Sequence, residues 1–164
     1  MKIETKSTRM ESLVALYDIQ SNYFLRAIDA ISEADAHNRL STKANHIAWL
    51  AGSLVEQRYY SAKQAGTALK HTGSDLFENY NGIQDETIYP KLAEYKNDWE
   101  TISPILRELL INTTDEQLEA IIDMGNFRMS YYELITFVIY REASIIGQIA
   151  LWRRLLGYEA MKYD

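Results

Sequence analysis

Cysteine is absent from this chain, which removes disulfides, thiolate metal sites and a cysteine nucleophile from consideration. Glycine and proline are scarce, 7 and 2 in 164 residues, too few to punctuate a turn-rich β architecture. Basic residues are outnumbered, 17 Lys+Arg against 23 Asp+Glu for a net charge of −6. That balance argues against a nucleic-acid partner, which demands a basic face. No apolar run approaches membrane-spanning length, and the stretch from Met1 to Lys6 leads into no apolar core; the expectation is a cytoplasmic protein with no membrane partner. No Gly-rich phosphate loop, nucleophile elbow or Ser-His-Asp arrangement is legible.

What is present is helical periodicity. Hydrophobic residues make up 47% of the chain, and its length suits one domain, 1–164, burying about two-thirds of its unfolded surface. Thr8-Arg-Met-Glu11 reads as a capping box opening a first helix with Met10, Leu13, Tyr17, Gln20, Phe24, Ala27 and Ile31 on one stripe. Ser32 to Arg39 loses the period and reads as a connection with a solvated His37. A second helix is expected from Ser41 or Thr42 to Ala65, stopped by Gly66, with His46, Leu50, Ser53, Gln57 and Tyr60 inward. The span 66–87, with His71 read as solvated, is too long for a turn between antiparallel neighbours and suits a crossover. Pro90 fits the first position of a third helix, whose stripe of Leu92, Tyr95, Trp99, Ile102, Leu106 and Leu109 stays in phase across Pro104. Thr114-Asp-Glu-Gln117 is a further capping box, residues 121–129 a candidate hairpin turning at Gly125-Asn126, and Ser130-Tyr-Tyr-Glu133 the cap of a fourth helix ending at Gly157. The expected fold is all-α: an up-down-down-up four-helix bundle with a long crossover between helices two and three.

The fourth helix carries the most information. Leu134, Val138, Arg141, Ile145, Gln148, Trp152 and Leu155 recur at alternating four- and three-residue steps, which puts Arg141 and Gln148 on an otherwise apolar seam. The second helix turns polar at mid-seam too, at Ser53 and Gln57, beside Gly52. A mid-helix glycine costs about 1 kcal/mol relative to alanine, so a close approach there is expected to compensate. The helices are expected to cross closely at Gly52 and Gly147, with Ser53 opposite Arg141 and Ile145.

Asn45-His-Ile-Ala-Trp-Leu-Ala-Gly-Ser53 with Gln57-Arg58, and Arg141-Glu-Ala-Ser-Ile-Ile-Gly-Gln-Ile149 with Arg153-Arg-Leu-Leu-Gly157, resemble the DinB-like (DinB/YfiT) superfamily. The resemblance covers the whole chain in helix count, crossover and length, and is most specific in the second and fourth helices. It implies a four-helix bundle in which three histidines, one from a Gly-His pair and two from a His-Glu-x-x-His-x-Gly-Gln run, bind a divalent metal. This chain has Ser53, Arg141 and Ile145 at those positions. Arginine stays protonated and cannot ligate, so neither a metal nor another cofactor is expected, and the reading leans away from an enzyme.

Three accounts of the altered site remain open. Ile145 and Ser53 fill space while Arg141 meets a carboxylate, Glu56 being the obvious candidate. Alternatively Arg141, Ser53, Gln57 and Gln148 form a repurposed pocket for a small anionic ligand. Thirdly, His46 and nearby carboxylates build an atypical metal site, the basis of the competing reading as a thiol transferase or hydrolase. The resemblance also implies a homodimer, and aromatic residues outside the seams, Tyr59, Tyr132 and Tyr140, are available for a cleft or a subunit contact.

Overall fold

Hydroxyl caps set where several of the helical elements begin. The computed structural model describes residues 4–164, apart from the side chains of Asn79 and Tyr80; Met1 to Ile3, part of the N-terminal stretch read above, lie outside it. Ser7, not Thr8, caps the first element, a 3-10 turn (Thr8–Met10) that runs into α1 (Glu11–Ile28). Ser32 caps the single turn α2 (Glu33–Ala36). Thr114 and Ser130 make the two expected capping boxes, at α5 (Asp115–Leu118) and α6 (Tyr131–Leu155). The hairpin forms as read: β1 (Ile121–Asp123) pairs antiparallel with β2 (Arg128–Ser130), and Gly125 takes the left-handed conformation in the turn at φ 79°.

Two helix starts differ from expectation. Leu40 and Ser41 hold positive φ, 47° and 58°, so no helix passes through them. α3 (Ile47–Gln64) begins later, capped by the His46 ring, a role periodicity does not reveal. Pro90 stands outside α4 (Leu92–Asn112), where the Glu94 carboxylate reaches back to accept the Lys91 backbone N–H at 2.9 Å. Pro104 lies inside α4, which continues through it as one helix.

Among the described residues the chain is mostly helical, of the all-α class, with four long helices and the hairpin as its strands. α3 packs on α4 and α6, and α1 packs on the same two, closing a ring. Residues 65–91 connect α3 to α4 with only a 3-10 stretch, Ser74–Tyr80, for regular structure. The centre of the ring holds Tyr17, Phe24, Leu54, Trp99, Ile102, Val138 and Ile149. α6 is long and apolar enough, by length and composition, to cross a membrane, contrary to the expectation that no run would be. Half of its apolar window is buried within the protein, as in a core helix.

The buried face of α6 is rotated from the expected seam. Its centre runs through Ile135, Val138, Glu142, Ile145, Ile149 and Trp152, whereas Gln148 and Leu155 are exposed and Arg141 is half-buried. Arg153, in the last turn of α6, donates to the carbonyls of Ala27 and Asp29 at the end of α1. That is the placement the unpaired carbonyls of a helix terminus favour.

Gly52 and Gly147 also part company. A Cβ on Gly52 would meet the Tyr95 ring at 2.5 Å and Phe77 at 2.6 Å, so the expected close approach is real, but to side chains of α4 and the long connection. Gly147 faces open space.

Candidate functional site

The strongest polar constellation is one that seam periodicity did not single out. Arg58 of α3 and Glu142 of α6 are both fully buried. Arg58 Nε donates to Glu142 Oε1 at 2.6 Å and Nη2 to Oε2 at 2.8 Å, a bidentate pair. Nη1 donates to the hydroxyls of Ser21 at 2.8 Å and Ser103 at 2.7 Å. The guanidinium carbon lies 3.9 Å from the Tyr17 ring centroid and 3.5 Å from that of Trp99. Tyr17 in turn donates to the Ser103 carbonyl, and Trp99 Nε1 to that of Ser21. All four long helices therefore meet at this one cation. Burial drives the Tyr17 hydroxyl well above the ordinary phenol range, with the Arg58 charge pulling the other way. Neither charged side chain of the pair reaches solvent, and its chemistry is that of a tie between helices.

The expected site lies one residue outward on both helices. Arg141 Nη1 donates to Gln57 Oε1 at 2.7 Å and to the Ser53 carbonyl at 3.3 Å. Helices two and four of the sequence reading thus do meet at Ser53, Gln57 and Arg141. Glu56 does not join them: it takes the Nε2 of His71 at 2.6 Å, so the carboxylate expected opposite Arg141 is committed elsewhere. Arg141 is half-buried, and burial lowers its pKa while nearby Glu142 raises it. Both of its hydrogen-bond partners are neutral oxygens. A guanidinium this desolvated and lacking a carboxylate of its own favours a bound anion.

The residues present do not fit the family's metal. The Ser53 hydroxyl donates to the Leu50 carbonyl at 2.9 Å, Ile145 is buried in the core, and Arg141 brings a positive charge up to Ser53. His46 does not supply a substitute, because its Nδ1 accepts the Trp49 N–H at 3.1 Å as the helix cap. Among the described residues, no three His, Asp or Glu side chains are grouped to hold a metal ion.

The other two histidines were read as solvated and are not. His71 is buried, its Nδ1 on the Thr72 carbonyl at 3.0 Å and its ring against Tyr59. It fastens the long connection to α3, while Asp98 of α4 accepts the Thr72 N–H at 2.8 Å. His37 lies half-buried between the carbonyl oxygens of Glu33, at 2.8 Å, and Tyr89, at 3.2 Å. Tyr59 is likewise buried, its hydroxyl donating to the Asp98 carbonyl at 3.2 Å and its pKa raised by burial to about 12. Tyr140, by contrast, is exposed, and Tyr132 is half-buried beneath the Arg9 guanidinium.

A sequence signal for Arg58 and Glu142 did exist. Each is flanked at three and four residues by apolar or small side chains, Leu54, Val55, Ser61 and Ala62 around the first, Val138, Ile139, Ile145 and Ile146 around the second. Comparison with known proteins adds no name to these observations: no family model matches the chain, and no curated protein is significantly similar to it.

Proposed function

We propose that the chain is a divergent DinB-like domain, an up-down-down-up four-helix bundle, that works without a metal as a binding module for a small anionic molecule held at Arg141 between α3 and α6. The observation that carries this reading is the half-buried Arg141 guanidinium with only Gln57 Oε1 and the Ser53 carbonyl as partners. The ring of four long helices and the long 65–91 connection support the bundle. His71 and Thr72 fasten that connection to α3 and α4.

The test is calorimetric titration of the whole chain with inorganic phosphate and with acetate, repeated with Arg141→Gln. Saturable binding of either anion, reduced at least about tenfold in the variant, a change of about 1.4 kcal/mol, is the expected result. Binding unchanged in the variant, or no heat from either anion at millimolar concentration, overturns the reading. Elemental analysis after dialysis against a chelator separates it from metal-dependent thiol-transferase or hydrolase chemistry; a metal retained at one per chain would favour the latter.

The same reading includes a homodimer. Exposed Phe137, Tyr140 and Leu151 share one outward stripe of α6, and Leu16 and Ile19 stand exposed on α1, the helix it packs against. Apolar side chains in such a row are characteristic of a covered face. Light scattering at tens of micromolar should return about twice the 19.0 kDa chain mass; the mass of one chain would refute the dimer.

A further inference from the structure

A cavity of mixed lining lies apart from Arg141. His46 is seven residues from Ser53 along α3, about 10 Å at the helical rise. There the segment leading into α3 and residues 83–88 of the long connection enclose a half-open space of about 360 Å³. That volume is in the range of small-molecule pockets, roughly 300 to 1,000 Å³. Arg39 and His46 stand on one wall, Ile83, Asp85 and Ile88 on the other.

Spare donors converge on this space. His46 is only 6% exposed. Its Nδ1 accepts the Trp49 N–H, so the neutral ring must carry its proton on Nε2, and no described group accepts from that atom. Burial first, then the charges of His37 and Arg39, push the His46 pKa down to about 4, which keeps the ring a neutral donor across the physiological range. Arg39 is fixed by Nε to the Ala44 carbonyl at 2.8 Å and by Nη1 to Asp85, which leaves Nη2 to donate. Its partner Asp85 is 77% exposed, and exposed ion pairs contribute little, so a second carboxylate can share or displace it at small cost. Ile88, 90% exposed, presents uncovered apolar surface at the edge of the cavity.

We propose that this cavity binds a small monocarboxylate with an apolar body, its carboxylate held by His46 Nε2–H and Arg39 Nη2 and its body lying on Ile83 and Ile88. Two donors and no free buried acceptor select a ligand that accepts hydrogen bonds, and the guanidinium favours an ionised one. The N-terminus of α3, an 18-residue helix, adds a favourable partial positive charge.

The probe is benzoate, titrated into the full chain to about 10 mM, a range that resolves dissociation constants near 1 mM, while NMR follows histidine ring and isoleucine methyl signals. Saturable shifts at His46, Ile83 and Ile88 are expected, with benzamide binding at least tenfold more weakly. His46→Asn keeps a good cap and removes the Nε2–H; Arg39→Gln removes the charge. Each should weaken benzoate at least tenfold while signals remote from the cavity stay in place. No saturable shift, equal binding of benzamide, or benzoate affinity unchanged in both variants overturns the proposal. Shifts confined to the surroundings of Arg141 also overturn it and count for the other site.

Discussion

Removing the charge of Glu142 should be the most damaging single isosteric change in this protein. Glu142→Gln leaves the Arg58 guanidinium fully buried, with an amide nitrogen where one of its two carboxylate oxygens was. Breaking one side of a buried, hydrogen-bonded ion pair typically costs about 3–5 kcal/mol, because the surviving charge is left unpaired in a low-dielectric interior. The expected loss lies in that range, a large share of the about 5–15 kcal/mol that stabilises a typical domain. The double replacement Arg58→Met with Glu142→Leu should behave differently. Ser21 and Ser103 keep partners of their own in the carbonyls of Tyr17 and Trp99, so removing the guanidinium orphans neither hydroxyl. Methionine would lie against the Tyr17 and Trp99 rings that now flank the cation, a favourable contact for its sulfur. The double variant should fall within about 2 kcal/mol of the parent in either direction. Urea denaturation read by linear extrapolation measures all three free energies. A Glu142→Gln loss below about 1 kcal/mol would refute the assignment of this pair as the tie between the four helices, since it would mean the guanidinium finds water or another partner.

Two further predictions rest on equally local geometry. Gly52→Ala should destabilise the protein by about 1–2 kcal/mol, the overpacking against Tyr95 and Phe77 exceeding the helix-propensity gain, whereas Gly147→Ala, facing open space, should stabilise it by about 0.5–1 kcal/mol; equal effects in denaturant melts would contradict the packing described. His46, with a folded pKa of about 4 against 6.5 in the unfolded chain, resists protonation in the folded state, so its contribution is complete above pH 6.5 and is lost as pH falls towards 4. That loss amounts to at most about 3 kcal/mol, and stability curves of the parent and His46→Asn should separate in that window and nowhere above it.

Local chemistry was the most legible part of this sequence. The two boxes Thr114–Gln117 and Ser130–Glu133, the turn at Gly125 and the stop at Gly66, with φ of 95°, each depend on neighbours a few residues apart, and the side chains that decide them are printed in the sequence. Helical phase was legible only where a helix has a polar side. α4 alternates Leu92, Tyr95, Trp99, Ile102 and Leu106 with exposed charges, and its inward face was read correctly up to Leu106, after which Leu110 and not Leu109 is the buried residue. α6 and α3 are apolar over most of their circumference, so a rotation of one residue, 100°, costs the pattern little; that rotation separates Arg141 from Glu142 and Gln57 from Arg58. A pair of buried opposite charges is also self-concealing in sequence. Each member, judged alone, belongs on the surface, and only their meeting across 84 residues of chain makes burial tolerable. His46, His71 and Glu56 were opaque for the same reason: a ring that caps a helix, or one that joins a connection to a carboxylate, is indistinguishable in sequence from a solvated one until the backbone brings its partner within 3 Å or so. The consequence for the candidate site is specific. α3 and α6 meet at Ser53, Gln57 and Arg141, but Glu142, one residue on, is committed to Arg58. Arg141 stands as a cationic side chain with neutral partners at the edge of the core, and any chemistry proposed there has to begin from that charge.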